Sequence, residues 1–580
     1  MNTINRPGIV RDGEHLIFRV WAPYQPSLSL EILIGGATQC FPMQRDGSFF
    51  QVRILYPDNA LTYFYVTETG ERFPDPCSRY QPQGVWGPSA FVPDTFEWGD
   101  DGWRGIALDA CILYELHVGT FTEAGTFDAI IQCIDQLKQL GVTCVELMPV
   151  AQFSGRWNWG YDGVFPFAVQ DTYGGPLALK RLIDTLHQSE IAVALDVVYN
   201  HIGPEGSCLQ TYGPYISKSH STPWGNCLNL DDDQSLPVRD YVKQNILQWV
   251  DEFHIDVLRL DAIHHIKDDS EIHLLREVSR DIKALAKKRG RDILLIGEAN
   301  VHHPIYLKAA DQDKSWGLDS IWCDDFAYAA QASFTAVQTH NKRTYHPWQD
   351  MLQALQGGVI FNGYPWEPHR VDGSASLQHP GLRHTAYLNN HDITGNEPTG
   401  TRYLNSLENS DWELLMALLI LMPHVPMLFM GDEYGEPNPF LYFVDHKDAQ
   451  LLQLIRAGRA NEFTGQNWAQ MTDPTSAEAF SHSKCQSIPA TTNQKFRWIQ
   501  SLIQIRKSWM QRGIIHAERL QVDWCEQDQT LRVGYRDDAS TAYIVASQSA
   551  GEVAKQHGQT LLQNDSAGQW KVAILSNPSP

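Results

Sequence analysis

The sequence predicts an α/β protein: a (β/α)8 TIM barrel carrying an N-terminal β-sandwich of immunoglobulin-like type and a small C-terminal β domain. Three observations carry this expectation. Strand-like apolar runs alternate with helical segments from about residue 111 to 480. Short alternating runs separated by Gly, Pro, Asp and Asn fill 1–100 and return in 512–580. Finally, the runs VLRLD (257–261), LLIGE (294–298) and YLNNHD (387–392) each finish in a carboxylate. Burying an acid at the end of an apolar strand is costly unless chemistry or a salt bridge needs it there, and active sites on this barrel assemble at the C-terminal ends of its strands.

In chain order, LIFRVWAP, LSLEILIGG, FFQVRILY and LTYFYVTE read as sandwich strands. An aromatic, proline-rich linker follows, and the period changes at about Cys111. Barrel strands then read as CILYELHV, CVELMPV, IAVALDVVY and DVLRLD, followed in turn by helical patterns over 127–140, 176–188, 238–253 and 270–289. ILLIGE, LDSIWC, HTAYLNN and VPMLFMGDE complete eight strands. The expected domains are 1–100, 101–511 and 512–580. The stretches 202–236 and 340–383 are too long for simple connectors and are expected to wall a cleft.

Composition narrows the partners. The 580 residues carry 45 Lys and Arg against 68 Asp and Glu, a net charge of −23, which argues against nucleic acid and against an anionic membrane surface. A neutral ligand fits better, and many of the 18 Trp and 22 Tyr lie in loop-like sequence. Ten well-separated Cys with no C-x-x-C pair suit a reducing cytoplasm. The first residues lack a leader pattern, and the longest apolar run, 414–422, is too short to span a bilayer. No H-E-x-x-H or Cys/His cluster suggests a metal, and the Asp231-Asp-Asp233 run reads as a solvated turn. No phosphate-binding glycine loop or G-x-S-x-G elbow is present, so no cofactor is expected.

Hydrolysis of a glycosidic bond needs one carboxyl group that holds a proton near neutral pH and one that stays ionised to attack the anomeric carbon. Arg259 lies two residues before Asp261, so on a strand both side chains share a face and the guanidinium keeps the aspartate charged, as a nucleophile requires. Glu298 follows Leu-Leu-Ile-Gly, apolar surroundings that raise a carboxyl toward the range of a general acid. Asp392, after His391 and two Asn, suits hydrogen bonds to sugar hydroxyls. His201 and His391 would be neutral donors to the same ring, and in Trp157-Asn-Trp-Gly-Tyr-Asp162 the aromatics resemble a sugar platform, with Tyr161 stacking.

Each residue has a plainer reading. A strand-end Asp is usually a cap or a salt-bridge partner; for Asp196 a structural acceptor role is preferred here. His201 with Asn200 could cap its strand. His264 and His265 read alone as satisfied histidines at a helix start, and the aromatics of 157–162 as packed loop. Three acids at three strand ends outweigh the plain reading for Asp261, Glu298 and Asp392.

At these residues the chain resembles the α-amylase family of glycoside hydrolases. The family's four signature segments match in order and spacing as Asp196-Val-Val-Tyr-Asn-His201, Leu258-Arg-Leu-Asp-Ala-Ile-His-His265, Ile296-Gly-Glu298 and Asn390-His-Asp392. The resemblance implies Asp261 as nucleophile, Glu298 as general acid/base and Asp392 as transition-state stabiliser, with Tyr161, His201, Arg259 and His391 around the sugar. Further segments, including Tyr114-Glu-Leu-His-Val-Gly-Thr-Phe-Thr122 and Phe429-Met-Gly-Asp-Glu-Tyr-Gly-Glu436, resemble the members that release trehalose from maltooligosyltrehalose. That likeness implies trehalose contacts at Trp224, His264 and Trp366, and the synthase that makes maltooligosyltrehalose as functional partner.

The sequence departs from that subgroup after two of the acids. Ala299-Asn-Val-His-His-Pro304 stands where the subgroup has Ser-Asp-Leu-Asn-Asp-Pro, and Ile393-Thr-Gly-Asn-Glu397 where it has Gln-Ile/Val-Gly-Asn-Arg; both changes bear on leaving-group recognition. Two rivals remain. One is a transferase such as a branching enzyme, which passes the glycosyl group to another glucan. The other is a non-catalytic glycan-binding protein on the same barrel, which the intact acids oppose.

Overall fold

The computed structural model describes residues 7–56, 61–299, 303–312, 314–340, 343–360, 383–462, 471–486, 493–536, 541–548, 559–565 and 568–577. Eight parallel strands close into a barrel: β1 (Leu113–Leu116), β2 (Cys144–Leu147), β3 (Ala192–Val197), β4 (Val257–Leu260), β5 (Leu294–Gly297), β6 (Ser320–Cys323), β7 (His384–Tyr387) and β8 (Val425–Phe429). Pairing of Leu113 with Met427 seals β1 to β8. Every residue of these strands is buried, because a parallel sheet wrapped by helices has no wet face. This is why the runs read as continuous apolar sequence.

The helical expectations hold with shifted bounds. The pattern over 127–140 forms two helices, Phe127–Ile131 and Ile134–Leu140; the Cys133 amide bonds back to Ile130 in a tighter turn that breaks the ladder. The pattern over 176–188 forms Gly175–Gln188. The pattern over 238–253 forms Ser235–Leu247 and a wide turn, Gln248–Glu252. The fourth helix is Leu274–Arg289, closed by Gly290 at φ 64°.

Two antiparallel sheets precede the barrel. One runs Gly8–Asp12, His15–Trp21, Phe49–Leu55, Gln44–Asp46; the other runs Ala37–Pro42, Leu28–Ile34, Thr62–Thr67, Arg72–Phe73, with Ser89–Ala90 also on Thr62–Thr67. Phe18, Val20, Leu30, Ile32, Tyr63 and Tyr65 lie in their buried core. After the barrel, five antiparallel strands between Leu520 and Asn577 form the C-terminal sheet.

The two long stretches behave differently. Within 202–236, the hairpin Ile216–Thr222 and Gly225–Leu228 is braced from the sandwich, where Trp21 meets Tyr215 edge to face at 4.9 Å and the Tyr212 hydroxyl donates to Pro74 O at 2.8 Å. Its tip carries Trp224. The described part of 340–383 does not wall the cleft: helix Gln349–Gly357 packs on helix Asp324–Phe334 and on the first C-terminal strand, and Trp348 stacks on Trp524 at 4.5 Å. Apolar rings find a drier place between two layers than at a wet rim. Residues 361–382, with Trp366, lie outside the described residues.

Gly297 ends β5 one residue before Glu298, and a side chain there would press on the ends of three buried neighbours. An added Cβ would fall 2.8 Å from Ile263 Cδ1 and Leu318 Cδ1 and 3.0 Å from Ile321 Cδ1. Gly297→Ala is therefore expected to cost about 1–3 kcal/mol of stability by overpacking and to lower kcat by displacing Glu298. Thermal unfolding and steady-state kinetics check both; a variant with unchanged Tm and kcat would show that the rim tolerates the methyl group.

Candidate active site

The ladder itself places two of the three acids. The amide after β4, on Asp261, still donates to Val197 O at 3.0 Å, the amide of Glu298 donates to Leu260 O at 2.9 Å, and Ile263 N donates to Glu298 O at 2.9 Å. Asp261 and Glu298 therefore stand side by side at the C-terminal rim. Asp392 arrives from the short helix His391–Gly395, whose first turn is capped by Asn390 Oδ1 accepting from Ile393 N at 2.7 Å. Gly395 presses that helix against Trp159, where a Cβ would meet the ring at 2.0 Å.

Arg259 lies beneath these acids, fully buried, its guanidinium 4.2 Å above the ring of Trp322. Its Nη1 donates to both oxygens of Asp196, at 2.9 and 2.8 Å, and to Asp261 Oδ1 at 2.8 Å. Its Nη2 is 3.5 Å from Glu298 Oε2. The other oxygen of Asp261 accepts from Asn200 Nδ2 at 2.7 Å. Asp261 is thus held at both oxygens.

Glu298 is held by less. Its Oε2 accepts from Ala262 N at 2.7 Å, and Ala262 adopts φ +38° to present that amide, a conformation costly for a residue with a Cβ. Burial, with the charges of Asp261 and Asp392, pushes the Glu298 carboxyl up to about 8 although Arg259 pulls it down. Burial likewise raises Asp196 to about 6 against the pull of Arg259. A carboxylate fixed by two donors beside a carboxyl that keeps its proton is the pairing that retaining glycoside chemistry uses.

Tyr161 joins this cluster to His391. Its hydroxyl donates to Asp196 Oδ2 at 2.6 Å and lies 2.9 Å from His391 Nε2, with the rings stacked at 5.2 Å. His391 Nδ1 meets Glu115 Oε1 at 2.5 Å. Burial alone would lower this imidazole; the Glu115 charge, then that of Asp392, more than offset it and push it up to about 9. His391 is therefore a cation at neutral pH, which corrects the expected neutral donor. Burial lowers His201, but its Nδ1 donates to Asn200 Oδ1, which leaves the other nitrogen of a neutral ring an acceptor rather than the expected donor.

The remaining sequence candidates divide. Trp224 leaves nearly half its surface exposed, its ring 5.9 Å from His201 and 4.9 Å from His265. His264 sits on the turn Ile263–His265 just after Asp261; burial, then His265, lowers it to about 3, and its buried Nδ1 takes no hydrogen bond. Its ring also meets the backbone of Glu298. In 157–162 both indoles are packed, Trp157 on Phe480 at 5.3 Å and Trp159 on Phe440 at 5.4 Å, so Tyr161 alone of that platform reaches the carboxylates. The Asp231 run is a clip rather than a solvated turn: Asp232 Oδ2 accepts from Ser217 Oγ and Lys218 N, both at 2.7 Å, and Asp231 Oδ2 from Asp269 N at 2.7 Å with His220 Nε2 at 2.9 Å. His220, Asp231 and Asp269 come close enough for a cation, but Asp231 Oδ2 is already bonded to the other two.

Asp324 was not singled out from the sequence. It follows β6, accepts from the Tyr387 hydroxyl, and is raised to about 6, first by burial and also by Asp392. Its signal was available: SIWCD is a fourth apolar run ending in an acid.

Residues 91–221 match the family model of the α-amylase catalytic domain. The chain is 37% identical over 518 residues to the malto-oligosyltrehalose trehalohydrolase of Saccharolobus solfataricus, covering 89% of each chain. It is 36% identical to the enzyme of that name from a Rhizobium species, covering 85% of this chain and 84% of the relative. Among solved structures, a candidate α-amylase from Salmonella typhimurium superposes with a TM-score of 0.87 at 30% identity, covering 98% of this chain and 99% of the other. Among the described residues no helix is long and apolar enough to cross a membrane.

Glu298 can donate a proton only while it carries one, so kcat/KM is expected to fall as pH rises through about 8. Glu298→Gln should abolish that limb and cost about 10²–10⁴-fold in kcat. Because the folded carboxyl lies above its unfolded value, the stability it contributes is present below the unfolded pKa and is lost as pH rises toward the folded one. The Gln variant should therefore melt with wild type at pH 4 and above it at pH 9. A limb still near 8 in Glu298→Gln would assign it to another group.

Proposed function

We infer the reaction of this chain from its lineage: it belongs to the malto-oligosyltrehalose trehalohydrolase family of α-amylase-type glycoside hydrolases. We propose that it cleaves the α-1,4 bond next to the terminal trehalose of maltooligosyltrehalose and releases trehalose. The observation that carries this is 37% identity along 89% of both chains, combined with an intact set of Asp261, Glu298 and Asp392 around Arg259.

In the proposed reaction the glucan occupies the side of Asp261 and the trehalose unit leaves. Asp261, its oxygens aligned by Arg259 and Asn200, attacks the anomeric carbon while Glu298 gives its proton to the departing oxygen of trehalose. Water, deprotonated by Glu298, then frees the glucan from Asp261. Asp392, half exposed at the rim, and the His391 cation face the hydroxyls of the ring as positive charge develops at its anomeric carbon. Trp224 and His264 stand on the side offered to trehalose. No step calls for a cofactor.

The substrate must be supplied by a synthase that converts the reducing end of a maltooligosaccharide into trehalose, and that enzyme is the proposed functional partner. A cytoplasmic setting is proposed with it, supported by ten free cysteines, most of them buried.

Incubation with maltooligosyltrehalose should release trehalose and a maltooligosaccharide, whereas plain maltooligosaccharide should yield no trehalose. Proton NMR at early times should show the new reducing end as the α-anomer, because two displacements retain configuration. Asp261→Asn should reduce turnover by about 10⁴-fold or more. New α-1,6 branches without trehalose would assign a transferase, and a β-anomer formed first would exclude the double displacement.

A further inference from the structure

Glu115, in β1, is buried and spends both carboxylate oxygens on one residue. Oε1 meets His391 Nδ1 at 2.5 Å, and Oε2 accepts the backbone N–H of His391 at 3.1 Å. The other ring nitrogen of His391 lies 2.9 Å from the Tyr161 hydroxyl and 3.5 Å from Asp392 Oδ2. We propose that Glu115 is a positioning residue for glycoside cleavage, holding His391 as an imidazolium whose Nε2–H is fixed at the Tyr161 and Asp392 end of the site. The proposal rests on the hydrolytic reading above, though not on trehalose as the leaving group.

The physical need for Glu115 follows from the surroundings of His391. A buried imidazole near Arg259 is driven to the neutral form. A neutral ring can place its single proton on either nitrogen, and with the proton on Nδ1 the Nε2 atom becomes an acceptor that can give nothing to a sugar oxygen. A carboxylate on Nδ1 removes that choice, since both nitrogens of the cation donate. This is the role that outer carboxylates play in fixing histidines at metal sites.

The neighbouring strand fits a single charge at this place. Glu146 stands in register with Glu115 on β2, on strands about 4.8 Å apart. Both of its oxygens are buried without a hydrogen bond, and burial, followed by the Glu115 charge, raises it well above the carboxylate range. Two N–H groups meet Glu115 and none meets Glu146, so the proton stands on Glu146. Asp392 also favours the cation and Arg259 opposes it; His117 and Asp196 act on the same ring through space, and Tyr161 links it to Asp196.

The test is a double-mutant cycle with pH profiles on maltooligosyltrehalose. Glu115→Gln keeps the shape and an acceptor for the His391 amide but loses the charge. It should lower kcat by about 100-fold, the size of losing one oriented donor, with KM changed by less than about threefold. In wild type Glu298 sets the alkaline limb near 8, because His391 loses its proton only near 9. Without Glu115 the imidazole titrates first, and the limb should move to lower pH. In a His391→Gln background the same substitution should cost no more than about threefold, since its effect runs through a ring no longer there. Glu146→Gln, the neutral isostere, should leave kcat and the limb in place.

Glu115→Asp, which keeps the charge and shortens the reach, is the second variant should Glu115→Gln not fold; it should lose part of kcat and retain the limb. Wild-type kcat and limb in Glu115→Gln, or losses that multiply in the double variant, would overturn the proposal. If wild type cleaves plain maltooligosaccharide and releases no trehalose, the substrate reading fails in the wild-type products, while the Glu115 effect is still read as a ratio on the glucan that is cleaved.

Discussion

The structure depends on one buried cation. The Arg259 guanidinium is always charged and lies out of reach of solvent, where an unpaired charge would cost several kcal/mol. It can remain there only if strands on either side bring carboxylates to it, and they do: Asp196 from β3, Asp261 after β4 and Glu298 after β5. The same contacts separate the two acids chemically. Asp261 receives a direct bond from Arg259 and a second from Asn200, whereas Glu298 lies a longer step away and answers mainly to burial. One guanidinium thus bonds one acid directly and leaves its neighbour protonated, an asymmetry that glycoside cleavage can use.

A second buried cation is built opposite the first. His391, the first residue of the short helix after β7, is held by Glu115 from β1, and Tyr161 spans from His391 to Asp196, the residue that anchors Arg259. Strands from both sides of the barrel seam are therefore joined through a short chain of hydrogen bonds with a cation at each end. Asp392, on the helix that begins with His391, inherits its position from this link and from the packing of Gly395 on Trp159. Outside the barrel, the N-terminal sandwich braces the hairpin that brings Trp224 to His201, and the Asp231 and Asp232 clip ties that hairpin to the loop after β4. The position of Trp224 and that of the acid pair are consequently set by different parts of the chain.

Much of this was legible in the sequence because the physics involved is local. Period and turn residues revealed the barrel and its two flanking β regions, and a costly acid at the end of an apolar strand revealed Asp261, Glu298 and Asp392. The same signature marks Asp324, which was passed over, and its interior form marks Glu115 and Glu146, acids within the apolar runs LYELH and CVELM. What could not be read depends on neighbours distant in sequence. The charge on His391 comes from Glu115, 276 positions away; Trp157 and Trp159 are claimed by Phe480 and Phe440 rather than by a sugar; the helix Gln349–Gly357 is drawn to the C-terminal sheet by the stack of Trp348 on Trp524.

In the proposed mechanism Asp261 becomes covalently bonded to the glucan while Glu298 supplies and then removes a proton. Trapping the intermediate decides it. A maltooligosyl α-fluoride needs no acid to lose its leaving group, so Glu298→Gln should accept the glycosyl group and then fail to release it for want of a base. Peptide mass spectrometry after rapid acid quench should find the glycosyl mass on the peptide bearing Asp261, at that residue. A glycosyl group on Asp392, or no adduct while the fluoride is still turned over, would rule out Asp261 as the nucleophile.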